Sequence, residues 1–195
     1  MNLIDRAKNM IVSPKTEWEV VAAEEPDVAG IITGYVLPLA GIAAVAAFIG
    51  YGLVGMPVPF FGVVRGIGMG VTHAVQLLIV AVVSCLATAW VVDLLAPSFG
   101  SEKNFGRSVQ LIAYMYTPSW IGGILMIYPP LGIIGSLFGL YGIYLMYLGL
   151  PVIMKTPSDK VVVYMIVVAV ILILFYVILG AILGALFLAF GLSML

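Results

Sequence analysis

Charge is scarce in this chain. Asp, Glu, Lys and Arg make up 9% of its 195 residues, where soluble domains carry about 25%. Eight basic and nine acidic side chains cannot cover the surface of a compact globule of this length. A soluble enzyme, a disordered tail and a disulfide scaffold are excluded on that count. Cysteine and histidine are scarcer still, with one of each. Cys85 has no internal disulfide partner, and together with His73 it cannot build a Cys/His metal cage. The formal net charge of −1 gives no electrostatic reason to expect nucleic acid as a partner. Neither a metal nor a cofactor is expected.

What the chain has instead is long apolar stretches, 64% of the residues being apolar or aromatic. Residues 28–64, 66–92, 108–154 and 161–195 carry no Asp, Glu, Lys or Arg. A helix crossing the hydrocarbon core needs about 20 apolar residues. The run 108–154 holds two such helices, with Pro129-Pro130 as the break between them. The run 161–195 reads as one long tilted helix, and 28–64 as one helix followed by an apolar, proline-rich loop from Gly55 to Phe61 that rests in the interface. The expected fold is therefore all-α: an integral membrane protein of five transmembrane helices, about 30–54, 66–95, 107–128, 131–153 and 161–190, forming one domain over 30–195.

Residues 1–29 form a short amphipathic leader rather than a signal peptide, since no apolar core is followed by a cleavage site. Leu3, Ile4, Ala7, Met10 and Ile11 recur at helical spacing, with Arg6, Lys8 and Asn9 elsewhere on the circle, which predicts an interfacial helix. Ser13-Pro14 predicts a second helix capped by the serine, with Trp18 and Val21 facing lipid or bundle.

Five spans place the leader and the loops near 96–106 and 154–160 on one side. That side holds Arg6, Lys8, Lys15, Lys103, Arg107, Lys155 and Lys160, against Arg65 alone on the other. The asymmetry puts the N-terminus in the cytoplasm and the C-terminus outside. Trp90 and Tyr147 fall near cytoplasmic span ends and Tyr51 and Tyr128 near external ones, while Trp120 lies mid-span and is expected to pack against another helix.

Within the spans, Thr72, Gln76, Ser84 and Thr88 are separated by multiples of four, beside His73. The stripe is expected to point into the bundle, either as a polar path or ligand pocket or as interhelical hydrogen bonding. Asp93, at the cytoplasmic end of the second span, needs compensation at a helix C-terminus. It is either ion-paired to Lys103, Arg107, Lys155 or Lys160, or a proton or cation site at the mouth of the bundle. Pro38 and Pro118 free the carbonyls of Gly34 and Tyr114 and kink their helices. Gly30/Gly34, Gly135/Gly139 and Gly180/Gly184, with Gly132, Ser136 and Gly142, suit close helix packing within the chain first and a homo-oligomer second. No phosphate loop, nucleophile elbow or zinc-helix motif is present, and no nucleophile–base pair can be named, so no enzyme activity is expected.

Three stretches carry a family resemblance. They are Leu3-Ile4-Asp5-Arg6 through Ser13-Pro14-Lys15-Thr16-Glu17-Trp18; Asp93 to Gly106 leading into Ala113-Tyr114-Met115-Tyr116-Thr117-Pro118; and Leu140-Tyr141-Gly142-Ile143-Tyr144 through Gly149-Leu150-Pro151 with Lys155-Thr156-Pro157. Across nearly the whole chain the pattern resembles the Yip family, five-span membrane proteins named after Ypt/Rab-interacting proteins, and looks like its short bacterial branch. Tyr114, Tyr116 and Pro118 are similar to the family's third-span signature. The resemblance implies the five-span fold. In eukaryotic relatives it implies vesicle traffic and binding of prenylated Rab GTPases through a long cytoplasmic N-terminus. The leader here is under 30 residues and has no Asp-Leu-Tyr-Gly-Pro motif; Asp93-Leu94-Leu95-Ala96-Pro97 is only superficially similar and follows the second span, so that role is not carried over.

The functional expectation is a non-enzymatic scaffold or adaptor in a bacterial inner membrane. Its partners would be lipids or membrane proteins meeting the bundle or a basic cytoplasmic face of Lys15, Lys103, Arg107, Lys155 and Lys160. The alternative is a small transporter or channel with its path along His73, Gln76, Ser84, Thr88 and Asp93.

Overall fold

The computed structural model describes residues 2–191. Two short helices open it. In α1 (Leu3–Val12) the Asn2 side chain accepts from the Asp5 N–H at 2.8 Å. Helix α2 (Pro14–Ala23) starts with Pro14 in its first turn, but Ser13 makes no side-chain cap; instead Thr16 donates to the Ser13 carbonyl at 3.0 Å. Trp18 and Val21 are fully buried, so they face the bundle rather than lipid.

The first apolar helix spans Val28–Val54 and is not uniformly α. It begins as α3 (Val28–Ile31), capped by Asp27, and continues as α4 (Leu37–Ile49), with π turns at Ile32–Val36 and Gly50–Val54. Pro38 explains the first π turn. It has no N–H to bond the carbonyl four residues back, and its ring crowds that carbonyl. The backbone before it widens, so that the Leu37 N–H reaches Ile32 five residues back. The Gly55–Phe61 stretch is not a plain loop: β1 (Met56–Val58) and β2 (Gly62–Val64) form an antiparallel hairpin. Phe60 sits at its tip with φ of 69°, fully exposed.

Helices α5 (Ile67–Leu95), α8 (Gly132–Ile153) and α9 (Val161–Gly191) have limits close to those expected of the second, fourth and fifth spans. The expected third span differs. It is broken into α6 (Phe105–Met115), α7 (Thr117–Gly122) and a 3-10 stretch Gly123–Ile127. Pro118 interrupts the ladder more fully than a kink would. Among the described residues, Val28–Val54, Ile67–Phe99 and Pro129–Ile153 are long and apolar enough to cross a membrane, and Val161–Phe175 is a shorter apolar helix.

The two ends of the bundle are distinct. Arg107 reaches the carbonyls that end α2, and Gly106 abuts Pro26. Ser101 and Thr156 hydroxyls lie 2.8 Å apart, and Lys155 pairs with Glu102 at 2.6 Å. The leader and the loops after α5 and α8 therefore meet at one end, the grouping that the five-span reading predicts. At the opposite end Gly50 lies against the Met126 carbonyl and Pro129. The broken segment 105–127 thus runs from one end of the bundle to the other.

The core is concentrated at the leader end, where Met10, Trp18, Leu111, Ile112, Leu150, Met154 and Tyr164 are wholly buried. Toward the other end large apolar side chains face outward, among them Val75, Ile79, Ile133 and Leu137. Lipid tails are as apolar as leucine, so such faces need no protein cover. Helices approach closely there through small residues. A Cβ on Gly122 or on Gly135 would run into the other's backbone carbonyl, so neither position takes a side chain without separating α7 from α8. Gly142 meets the Met115 carbonyl in the same way, whereas Gly34 and Gly132 meet nothing. Gly180 and Gly184 lie outside the residues whose packing is described.

Candidate functional site

The densest polar cluster lies where the leader meets α6. Arg6 shares the buried face of α1 with Ala7 and Met10 and is only 5% exposed. Its Nη1 donates to Glu17 Oε1 at 2.7 Å, and its Nη2 to Glu24 Oε1. Glu17, 3% exposed, accepts a further bond from Asn9 Nδ2 at 3.0 Å. One guanidinium thus clamps both ends of α2 onto α1. Truncating one partner of such a buried pair costs about 3–5 kcal/mol, because the remaining charge is left without compensation.

Arg107 completes the clamp from α6. Its Nη1 donates to the Val21 carbonyl at 3.3 Å, the Glu24 carbonyl at 2.8 Å and Gln110 Oε1 at 3.0 Å. Carbonyls at a helix C-terminus lack intrahelical donors, and a cation there also meets the negative end of the helix dipole.

Below this lies a column of rings. Tyr114 packs edge-on to Tyr35 at 4.7 Å and to Trp18 at 6.3 Å, with the Arg6 guanidinium 5.3 Å from its ring centre. Trp120 packs on Tyr35 and Tyr116, so this mid-span tryptophan is held by other helices as expected. Pro118 deprives the Tyr114 carbonyl of its α-helical donor, and Thr117 replaces that donor, its hydroxyl bonding the carbonyl at 2.7 Å. Since that spends the Thr117 proton, the Tyr35 hydroxyl, 2.7 Å away, must be the donor to Thr117 Oγ1. The third-span residues Tyr114 and Pro118 are thereby tied to the first apolar helix and to the leader.

The α5 residues are placed differently. Thr72 and Gln76 face outward, contrary to the expectation that the stripe points inward. Each step of four residues overshoots a full turn by about 40°, so from Thr72 to Thr88 the stripe rotates by ~160°. Thr72 bonds the Gly68 carbonyl at 2.9 Å and Ser84 that of Ala81 at 3.5 Å. His73 Nδ1 lies 2.8 Å from the Met69 carbonyl, and the ring stacks on Tyr51 at 3.9 Å. Thr88 alone of the stripe is buried between helices, 3.4 Å from the Tyr116 hydroxyl, beside an apolar groove of about 610 Å³ that also takes in Leu140, Tyr144 and Met165. No cavity found among the described residues contains all of these side chains.

Asp93 is buried, but it has no ion pair among the described residues, and its Oδ1 is without a hydrogen-bond partner. Its four candidate cations are engaged or directed elsewhere. Lys155 pairs with Glu102, Arg107 binds the end of α2, and Lys103 and Lys160 are exposed. The adjacent Val92 carbonyl accepts from the Tyr164 hydroxyl, which pins α9 to α5. Of the expected basic face, Lys15, Lys103, Lys155 and Lys160 are exposed, whereas Arg107 is turned inward. Among the described residues no group of three or more His, Cys, Asp or Glu side chains gathers as a metal site.

Sequence reasoning did not find the leader junction. Its signal was Arg6 itself, three residues after Leu3 and four before Met10, a charge on the apolar phase of α1 rather than on its polar side. Glu17 and Glu24, seven apart and flanking Trp18 and Val21, repeat that signal on α2.

No curated protein and no solved structure matches the chain. The family model described as the Yip1 domain matches residues 8–182, from within α1 into α9. It so takes in Glu17, Glu24 and Arg107 of the junction, though not Arg6, together with the broken third segment and the loops that meet at the leader end. On that match the chain is a membrane protein of the Yip family.

Proposed function

We propose that the chain is a non-enzymatic membrane scaffold of a bacterial inner membrane, crossing it five times with the leader end in the cytoplasm. The observation that carries this reading is the buried Arg6–Glu17–Glu24 clamp. It makes the leader a fixed platform on the bundle, and the exposed Lys8, Lys15, Lys103, Lys155 and Lys160 belong to the segments that meet at that end. The same segments expose Asp5, Glu19, Glu25, Asp27, Glu102 and Asp159, so this fixed surface is of mixed charge. It suits the docking of a protein segment or lipid headgroups whose acidic groups meet those lysines, at about 1 kcal/mol per basic residue near the surface.

Photo-crosslinking residues placed at Lys15 and Lys155 test it in intact cells. Discrete protein or lipid adducts at both positions, absent from a control at Ile79 on the outward face of α5, are expected. Adducts confined to Ile79 would overturn the reading. Topology is tested with an impermeant thiol reagent. Phe60→Cys should label from outside intact cells and Lys160→Cys only after permeabilisation, the native Cys85 being buried.

One observation favours a second reading, a small transporter or channel: the unpaired carboxylate of Asp93 inside the bundle. Ion or solute flux in proteoliposomes tests it. Flux of the native chain above that of empty liposomes, lost in Asp93→Asn and His73→Ala, would support transport, and flux equal to empty liposomes would remove it for the solutes assayed.

A further inference from the structure

A cleft of about 380 Å³ opens at the leader end, between α1, the linker 24–27, the start of the first apolar helix and α6. Its lining is unusual for this chain. Arg6, Glu24, Glu25 and Asp27 bring one positive and three negative charges. Arg6 is already spent on Glu17 and Glu24, and Asp27 Oδ1 caps Gly30. Glu25 is exposed at the rim without a partner among the described residues.

The inner wall presents the opposite need. Gln110 and Tyr114 are 2% and 6% exposed. The Arg107 N–H requires Gln110 Oε1 as its acceptor, which fixes the amide and leaves its NH2 group unused. The Tyr114 hydroxyl also has no hydrogen-bond partner among the described residues, its ring being held only by packing. Two donors on the inner wall therefore face the cleft with no acceptor among the described residues, while Glu25 and the free oxygen of Asp27 have no cation there.

We propose that this cleft binds a zwitterion carrying a primary ammonium and an oxyanion, the chemistry of phosphoethanolamine. Its ammonium donates to Glu25 and the free oxygen of Asp27, and its phosphate oxygens accept from Gln110 Nε2 and the Tyr114 hydroxyl. A simple cation leaves both inner donors unsatisfied, and a simple anion meets a net negative rim. A quaternary ammonium fits poorly because it has no N–H to donate. The source is a phosphatidylethanolamine headgroup at the membrane boundary or the free phosphoethanolamine. The inference rests on the membrane crossing alone and not on the scaffold reading, whose crosslinking test is independent of it.

The test is the thermal unfolding midpoint of the full chain in detergent, with added lipids of matched acyl chains. Phosphatidylethanolamine should raise the midpoint by about 3 °C more than phosphatidylcholine or phosphatidylglycerol does. Gly34 lines the cleft, and a Cβ added there would have no atom within 4 Å, so the side chain of Gly34→Leu starts in open space and takes up room at the cleft. That variant should lose the difference entirely, and Tyr114→Phe should lose at least half of it. A shift with soluble phosphoethanolamine assigns the headgroup chemistry as sufficient, and a shift with the lipid alone assigns the membrane source; either supports the proposal. Equal shifts from phosphatidylcholine, no ethanolamine-specific shift, or a full shift retained by Gly34→Leu overturns it. If Gly34→Leu fails to fold, a full shift retained by Tyr114→Phe does so instead.

Discussion

The leader junction and helix α5 both carry polar groups in an apolar chain, and they satisfy them by different routes. At the junction Arg6, Glu17, Glu24, Tyr35, Arg107, Gln110 and Thr117 come from separate stretches of chain and complete one another's hydrogen bonds. On α5, Thr72, His73 and Ser84 turn back to carbonyls of their own helix, the His73 ring also stacking on Tyr51, and Gln76 faces outward. A polar group bonded to a distant segment creates tertiary structure, whereas one bonded to its own turn creates none. The same residue types should therefore differ sharply in what their removal costs.

The largest effect is expected at Arg6. Arg6→Met leaves Glu17 buried and unpaired and should cost about 3–5 kcal/mol of stability, read from unfolding in detergent. Arg6→Met combined with Glu17→Leu removes both charges and should recover most of that loss, since apolar replacement of a buried pair is often near neutral. A double variant no better than the single one would mean that Glu24 and Asn9, rather than the Arg6–Glu17 pair, hold the leader in place.

The next effect separates Thr117 from Tyr35. Thr117→Val strips the Tyr114 carbonyl of its donor and the Tyr35 hydroxyl of its acceptor, both in a buried site, and should cost about 1–3 kcal/mol. Tyr35→Phe removes a donor and leaves the Thr117–Tyr114 bond intact, so about 1 kcal/mol or less is expected. The order of the two reports the direction of the chain of bonds. Equal losses would mean that Thr117 does not donate to Tyr114.

These contrasts also explain what the sequence discloses. The apolar runs show the helices because a spanning segment has to be long and free of charge, and α5, α8 and α9 begin and end close to the expected limits. The expected number of spans shows which loops share an end, and there Arg107 meets the end of α2 and Lys155 meets Glu102. Pro118 reveals a disturbance but not its outcome. Whether a freed carbonyl leaves a kink or a break depends on Thr117 and on Tyr35, 82 residues away in sequence. The junction is hidden for the same reason: Arg6 stands on the apolar phase of α1, but what it pairs with depends on α2 folding back to supply Glu17 and Glu24. On α5 the four-residue spacing was visible, but its slow rotation carried Thr72 and Gln76 away from the face that holds Thr88.

The smallest effects belong to α5, and they sharpen the comparison most. Among the described residues Thr88 makes the stripe's one hydrogen bond to another helix, at 3.4 Å from Tyr116, which keeps other interactions. Thr88→Val should therefore cost about 0.6 kcal/mol, the usual worth of an interhelical bond in a membrane bundle. Gln76 faces outward beside Val75, Ile79 and Val80, where an amide gains nothing from lipid. Gln76→Leu should leave stability unchanged or raise it by about 0.5 kcal/mol. A loss of more than about 1 kcal/mol would show that the amide has a partner in the assembled protein. Repeating the measurement across protein-to-detergent ratios identifies that partner. A loss that fades on dilution belongs to a second copy of this chain docked on α5, and a loss that persists belongs to a contact within one copy.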